Sequence, residues 1–193
     1  MELEERTLGD LLSEPLIARI APEAIRAREL KQEEIWGKTI RQIREEHIFS
    51  GRIGAGFRRL LDAAATGEWY YPLYSEEECA ADERRKGLNL LWLPSADPAA
   101  DGKPFLFVVP GGGFENVWNL TEGWPVAAQF NDLGYHVFIL TYQVDGEKDL
   151  MQKDLEDCAR ALKIIADNSE KFHAMLSMQR QILPMKTVSA CLN

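Results

Sequence analysis

The sequence predicts an α/β fold, a mainly parallel sheet with helices on both faces, preceded by a helical extension. Three observations carry this expectation. Phe105–Val109 ("FLFVV") and Tyr135–Tyr142 ("YHVFILTY") are continuous apolar runs, the pattern of strands buried on both faces. Between them lies a helical pattern closed by Gly134, so strand, helix and strand form a crossover unit, which requires parallel strands. Upstream, residues 1–67 carry helical periodicity and no such run.

In the extension, Pro22 and Glu23 suit a helix start, and Ile25 with Leu30 begins an apolar stripe. Trp36, Ile40, Ile43 and His47 fall on one face of a helix. "SGRIGAGF" (Ser50–Phe57) reads as a loop between helices. Its two-glycine fragment follows no strand and lacks the third glycine of a dinucleotide fingerprint. "FRRLLDAAATG" is one more short helix, ending at Gly67.

From Trp69 the character changes. "WYYPLYS" holds Pro72 and suits an edge strand or loop. "SEEECAADERRKG" is a charged surface segment of one or two helical turns, Leu88–Pro94 ("LNLLWLP") is a strand, and "SADPAADGK" is a turn-rich connection. After Val109, Thr121 is placed to cap a helix with Glu122 and Pro125 in its first turn and Val126, Phe130 and Leu133 on its apolar face. Near Asp149 a last helix opens, with Leu155, Cys158, Leu162 and Ile165 at helical spacing. The expected organisation is a cap-like extension over residues 1–67, an α/β core over 68–173, and a divergent tail over 174–193.

Composition is that of a globular protein, with 46% hydrophobic and 27% charged residues. A formal net charge of −9 argues against a nucleic-acid partner, because phosphate binding needs a basic face. The acidic N-terminus has no secretory h-region, and no apolar run is long enough for a membrane span. Cys79, Cys158 and Cys191 show neither metal-ligand spacing nor a disulfide framework, so no metal and no cofactor is expected, and a reducing cytoplasm is the simplest compartment. Without a secretion signal, the sequon Asn119-Leu120-Thr121 reads as chance.

The residues that invite chemistry are Gly111, Gly112 and Gly113, directly after the first buried strand and followed by Phe114. Ligands of parallel sheets bind beyond the carboxyl ends of the strands. Glycine there permits positive φ and lets backbone N–H groups face a ligand. Two converging N–H groups can hold a developing oxyanion, at about 3–4 kcal/mol per donor. Such a loop before a helix can also hold a phosphate, although Phe114 and Glu115 replace the lysine and hydroxyl of a P-loop. A plain tight turn is the third alternative.

The stretch "VVPGGGFENVWNLTEGWPVAAQFNDLGYHVFILTYQV", continued by "DLEDCARALKIIADNSEKF", resembles the esterase branch of the α/β-hydrolase fold, the group of acetyl esterases and acetylxylan-type esterases. The resemblance covers about residues 88–172. It implies that "PGGGF" is the oxyanion loop, with Gly112 and Gly113 as donors, that "GYHVFILTYQV" is the strand after it, and that the first sheet strands of that fold are present. It further implies hydrolysis of a small ester by a Ser-His-Asp triad without a cofactor. Pro110 stands where the family often has histidine.

The resemblance stops after Phe172. No G-x-S-x-G nucleophile elbow occurs in the 193 residues. Of the three histidines, His47 falls in the extension, His136 in a buried strand and His173 after a helix, none at the triad position. Ser189 in "TVSAC" is a weak nucleophile candidate, because Thr187 and Cys191 replace the small residues a strained elbow needs. The sequence therefore suggests a chain truncated or frame-shifted before its nucleophile and catalytically incomplete. Its alternative role is an interaction or self-associating module, with "FLFVV" left as an open apolar edge.

Overall fold

A computed structural model describes residues 2–20, 33–46, 51–113, 117–144 and 150–172. The expected helix start at Pro22 and the stripe at Ile25 and Leu30 lie outside the described residues, as do His47, Phe114, His173 and Ser189.

The extension is built from short capped helices, α1 (Leu8–Leu12), α2 (Pro15–Ala18), α3 (Glu33–Trp36) and α4 (Ile40–Glu45). Thr7 and Thr39 each begin a capping box, with Asp10 and Gln42 as the reciprocal partners. These two caps are also stitched together, since Leu8 N–H donates to Lys38 O at 2.9 Å and Ile40 N–H to Arg6 O at 3.1 Å. That stitch corrects the expected continuous stripe from Trp36 to His47. The chain breaks before Thr39, Ile40 and Ile43 are buried, and Trp36 is 39% exposed.

The expected loop at Ser50–Phe57 is corrected as well. Gly54 and Gly56 lie inside α5 (Ile53–Ala65). Each glycine costs such a helix about 1 kcal/mol relative to alanine. The compensation is close approach. A Cβ on Gly56 would meet the Trp124 carbonyl carbon at 2.9 Å, and one on Gly54 would meet Ile40 Cγ2 at 2.9 Å.

A four-stranded mixed sheet follows, with β1 (Tyr70–Pro72), β2 (Asn89–Leu93), β3 (Leu106–Val108) and β4 (Val137–Thr141) in the order β1-β2-β4-β3. Strand β2 runs antiparallel to both β1 and β4, and β3 lies parallel to β4. Three strands thus share one direction and β2 opposes them. The charged segment forms α6 (Glu76–Ala81), capped by Ser75.

Helices cover both faces. On one, α5 packs with α7 (Trp124–Asp132) over Leu91, Leu93, Val137 and Ile139, with Phe57 edge-on to Trp124 at 5.3 Å between ring centroids. On the other, α8 (Leu150–Asp167) lies over Leu90, Phe138 and Leu140. The chain then turns so that Phe172 packs against Tyr71, Trp92 and Phe138 at 4.9–5.1 Å.

Three local expectations are corrected here. Thr121 caps nothing, because α7 is entered through a wide π-type turn, Asn119–Gly123. The buried face of α7 is Trp124, Ala127, Ala128 and Asn131, while Leu133 is 60% exposed. The close approach to α5 is made by Trp124 and Pro125 at the start of α7, which face Gly56. On α8 the inward strip is Asp157, Ala161 and Ile165, and Leu155 and Leu162 are 58% and 46% exposed. The helix is rotated toward Asp157, whose carboxylate is a buried hydrogen-bond acceptor. Among the described residues no helix is long and apolar enough to cross a membrane.

Candidate functional site

Because β3 and β4 are parallel, their carboxyl ends emerge side by side, and the Pro110–Gly113 loop leaves from that end. The start of the loop is clamped. Tyr142, one residue past β4 and buried, donates its hydroxyl to Pro110 O at 2.7 Å. Gly111 N–H donates to Glu122 Oε2 at 2.8 Å, and Gly111 O accepts from Trp118 N–H at 3.0 Å. Gly111 has no positive φ, and a Cβ there would meet the flexible end of Glu122, Oε2, at 2.8 Å.

Beyond the clamp, the backbone adopts φ of 145° at Gly112 and 63° at Gly113, conformations that favour glycine. Among the described residues, nothing accepts from the Gly112 or Gly113 N–H. Gly112 is half-buried and Gly113 exposed. The three glycines therefore have different tasks. Gly111 spends both peptide groups on fixing the loop, and the N–H groups of the two after it meet no acceptor among the described residues.

Buried polar groups pair with one another at this end of the sheet. Asn119 Nδ2 donates to Thr141 Oγ1 at 2.9 Å, and the missing side chain of Gly123 leaves room for Asn119 Oδ1 and for Pro110 Cγ, which a Cβ would meet at 3.2 Å. Asp157 accepts from the Tyr74 hydroxyl at 2.5 Å and from Gln143 N–H at 2.9 Å, joining the segments that follow β1 and β4. Burial raises the Asp157 carboxyl above the usual carboxylate range and also raises the Tyr74 hydroxyl. The Tyr142 phenol is pushed up to about 12, first by burial and then by the negative Asp154 and Glu122. Cys158 is pushed up to about 11, chiefly by burial, which leaves it a thiol and a poor nucleophile at neutral pH. A separate cavity of about 300 Å³ opens at the same end of the sheet between Tyr74, Arg85, Gln143 and Glu156, away from the glycines.

His136 sits at the opposite end, just before β4. Its Nδ1 accepts from Ser95 N–H at 3.2 Å, so Nε2 carries the proton and faces Asp101 Oδ1 at 3.1 Å. Ser95 Oγ is itself spent on Asn131 O at 3.0 Å. A strand of this length separates His136 from the loop by about 15 Å, so this Ser-His-Asp grouping is a structural latch.

Of the sequence-predicted site residues, Gly111, Gly112 and Gly113 are brought together at the strand end, and Phe114 and Ser189 lie outside the described residues. The sequence marks none of Tyr142, Glu122, Asn119 and Asp157 as a site residue: Glu122 reads as a first-turn charge, Tyr142 as the end of a strand and Asn119 as part of a chance sequon.

These elements define a mixed-sheet α/β protein with a glycine loop at the carboxyl ends of its parallel strands. Among solved structures, the chain is similar to MGS-M1, an alpha/beta hydrolase enzyme from a Medee basin deep-sea metagenome library (21% identity, 54% of this chain, 40% of that chain, TM-score 0.43). It is also similar to an acetyl ester-xyloside bifunctional hydrolase from Caldicellulosiruptor lactoaceticus (23% identity, 54% of this chain, 38% of that chain, TM-score 0.44). The chain thus spans less than half the length of either structure. No family model matches it, and no curated protein does.

Proposed function

We propose that Pro110–Gly113 is the oxyanion-binding half of a carboxylic-ester hydrolase site. The observation that carries this is the division of labour in the loop. Every peptide group of the clamp is spent, and the N–H groups of Gly112 and Gly113, which meet no acceptor among the described residues, follow one another at the carboxyl end of a parallel strand. Such paired donors suit an oxygen that gains charge during reaction. None of the described residues supplies a nucleophile with a base beside it, and Ser189 is the remaining serine candidate of the sequence. We infer that this chain holds the donors without a complete triad. Titration of the labelled protein with ethyl acetate should shift the Gly112 and Gly113 amides downfield; unmoved amides would sink the oxyanion role. Turnover of p-nitrophenyl acetate that vanishes in Ser189→Ala would overturn the incompleteness.

A second reading, self-association, rests on a different observation. Among the described residues, strand β3 is a sheet edge. Leu106 N–H donates to His136 O at 2.9 Å, so strand alternation turns the Phe107 and Val109 peptide groups away from β4. Val109 is 46% exposed. On α8, Arg160 faces Glu78 and Leu73 beside β1, and Leu155 and Leu162 are exposed. We infer that the β3 edge and these leucines offer apolar surface to a second copy. Sedimentation should show association that Leu155→Glu with Leu162→Glu weakens; a monomer at every concentration would refute it.

A further inference from the structure

An oxyanion loop and a phosphate cradle need the same donors, and what separates them is the charge already present. Glu122 supplies it. Its carboxylate sits on Gly111 N–H at 2.8 Å, one peptide away from the Gly112 and Gly113 donors, where a Gly111 Cβ would meet it. Glu122 itself is exposed. It is held in place from behind, because Glu122 N–H donates to Trp118 O at 2.8 Å while Trp118 N–H closes on Gly111 O at 3.0 Å. Loop and carboxylate therefore form one hydrogen-bonded ring.

We propose that Glu122 is a positioning residue that also sets the charge of the ligand. Its carboxylate fixes the Gly111 peptide so that Gly112 and Gly113 donate outward, and its negative charge steers the loop toward neutral carbonyl compounds and against standing anions. This rests on the oxyanion reading above. A neutral ester meets two donors and no repulsion at first contact. A phosphate or carboxylate carries its full charge into a site that already holds one. For partly exposed charges several ångströms apart, that repulsion amounts to about tenfold in affinity. The buried Tyr142 hydroxyl on the other side of Pro110 feels the same negative surroundings, from Asp154 as well as Glu122.

The test uses the full chain, labelled with ¹⁵N, as wild type, Glu122→Gln and Glu122→Ala, with circular dichroism to establish folding. Glutamine keeps an acceptor for Gly111 N–H and removes the charge. The Gly111 amide signal should stay close to its wild-type position in Glu122→Gln and move upfield in Glu122→Ala. On titration with inorganic phosphate, Gly112 and Gly113 should respond in Glu122→Gln at a concentration about tenfold lower than in wild type. Equal phosphate responses in the two proteins, or none in either, would overturn the charge role. A Gly111 signal indifferent to Glu122→Ala would overturn the clamp. Ethyl acetate that moves neither glycine in any of the three proteins would overturn the oxyanion reading itself, a result separable from the phosphate titration. Should Glu122→Ala fail to fold, the isosteric Glu122→Gln carries the charge test alone.

Discussion

Replacing Gly56 by alanine should destabilise this protein even though alanine is the better helix former. Within α5, the exchange gains about 1 kcal/mol of propensity. Against that stands the contact with α7. The new Cβ would meet the Trp124 carbonyl carbon at 2.9 Å, Pro125 N at 3.0 Å and Trp124 Cβ at 3.0 Å. Two of these atoms are backbone, and Trp124 is buried edge-on to Phe57, so neither helix can yield by turning a side chain. Forcing an extra carbon into packed surroundings costs roughly 1–3 kcal/mol. The expected net effect is a loss of about 1 kcal/mol, rising to several for Gly56→Val. Urea unfolding followed by far-UV circular dichroism reads it as a lower midpoint with an unchanged slope. Gly51→Ala is the control, since nothing lies within 4 Å of a Cβ there. A Gly56→Ala protein as stable as wild type, or more so, would refute the claim that the helices are in backbone contact.

Tyr142→Phe leaves the buried Pro110 carbonyl without its donor, which should cost about 1–3 kcal/mol and speed amide exchange at Gly111 while leaving the amides of α4 unchanged. Asp132 is bonded by Arg59 at 2.8 Å and also by Arg52, and the Arg59 bond first of all holds its carboxyl below the usual range. Its folded pKa is depressed, so its stabilisation is present above the unfolded value of 3.8 and is lost as pH falls through the folded one. The wild-type advantage over Asp132→Asn in thermal melts should therefore shrink between pH 5 and acid; a constant difference would argue against the ion pair. Cys158, with its thiol pushed up to about 11, should react with iodoacetamide at pH 8 far more slowly than a free cysteine, as read by peptide mass spectrometry.

The parts of the fold that the sequence made legible are those set by continuous burial. Val137–Thr141 is buried at every residue, and a strand with no polar face leaves a run that periodicity cannot disguise. The glycine run was legible as a loop because three successive residues without Cβ atoms suit little else. Hidden from sequence was everything decided by approach distance. Gly54 and Gly56 resemble a loop until the partner helix is seen 2.9 Å away, and the true inner faces of α7 and α8 use alanine and aspartate where leucine was expected. The site was half legible for a related reason. Donors announce themselves by glycine, but Tyr142 and Glu122 each act on the loop through one bond to a residue distant in sequence, and Asp157 holds Tyr74 and Gln143 through two, none of which leaves a local pattern.

The latch of Ser95, His136 and Asp101, backed by Asn131, has a consequence for how this molecule can change. It closes the foot of β4, where His136 O also receives Leu106 N–H and Asn131 Nδ2 binds the Leu93 and Tyr135 carbonyls. The head of the same strand carries Thr141, bonded by Asn119, and just past it Tyr142, which holds Pro110 O at the start of the glycine loop. About 15 Å of paired strand lies between them, far enough for substitutions at the two ends to act additively. One end can be reinforced for endurance while the other is retuned for a ligand, and neither alteration need consult the other.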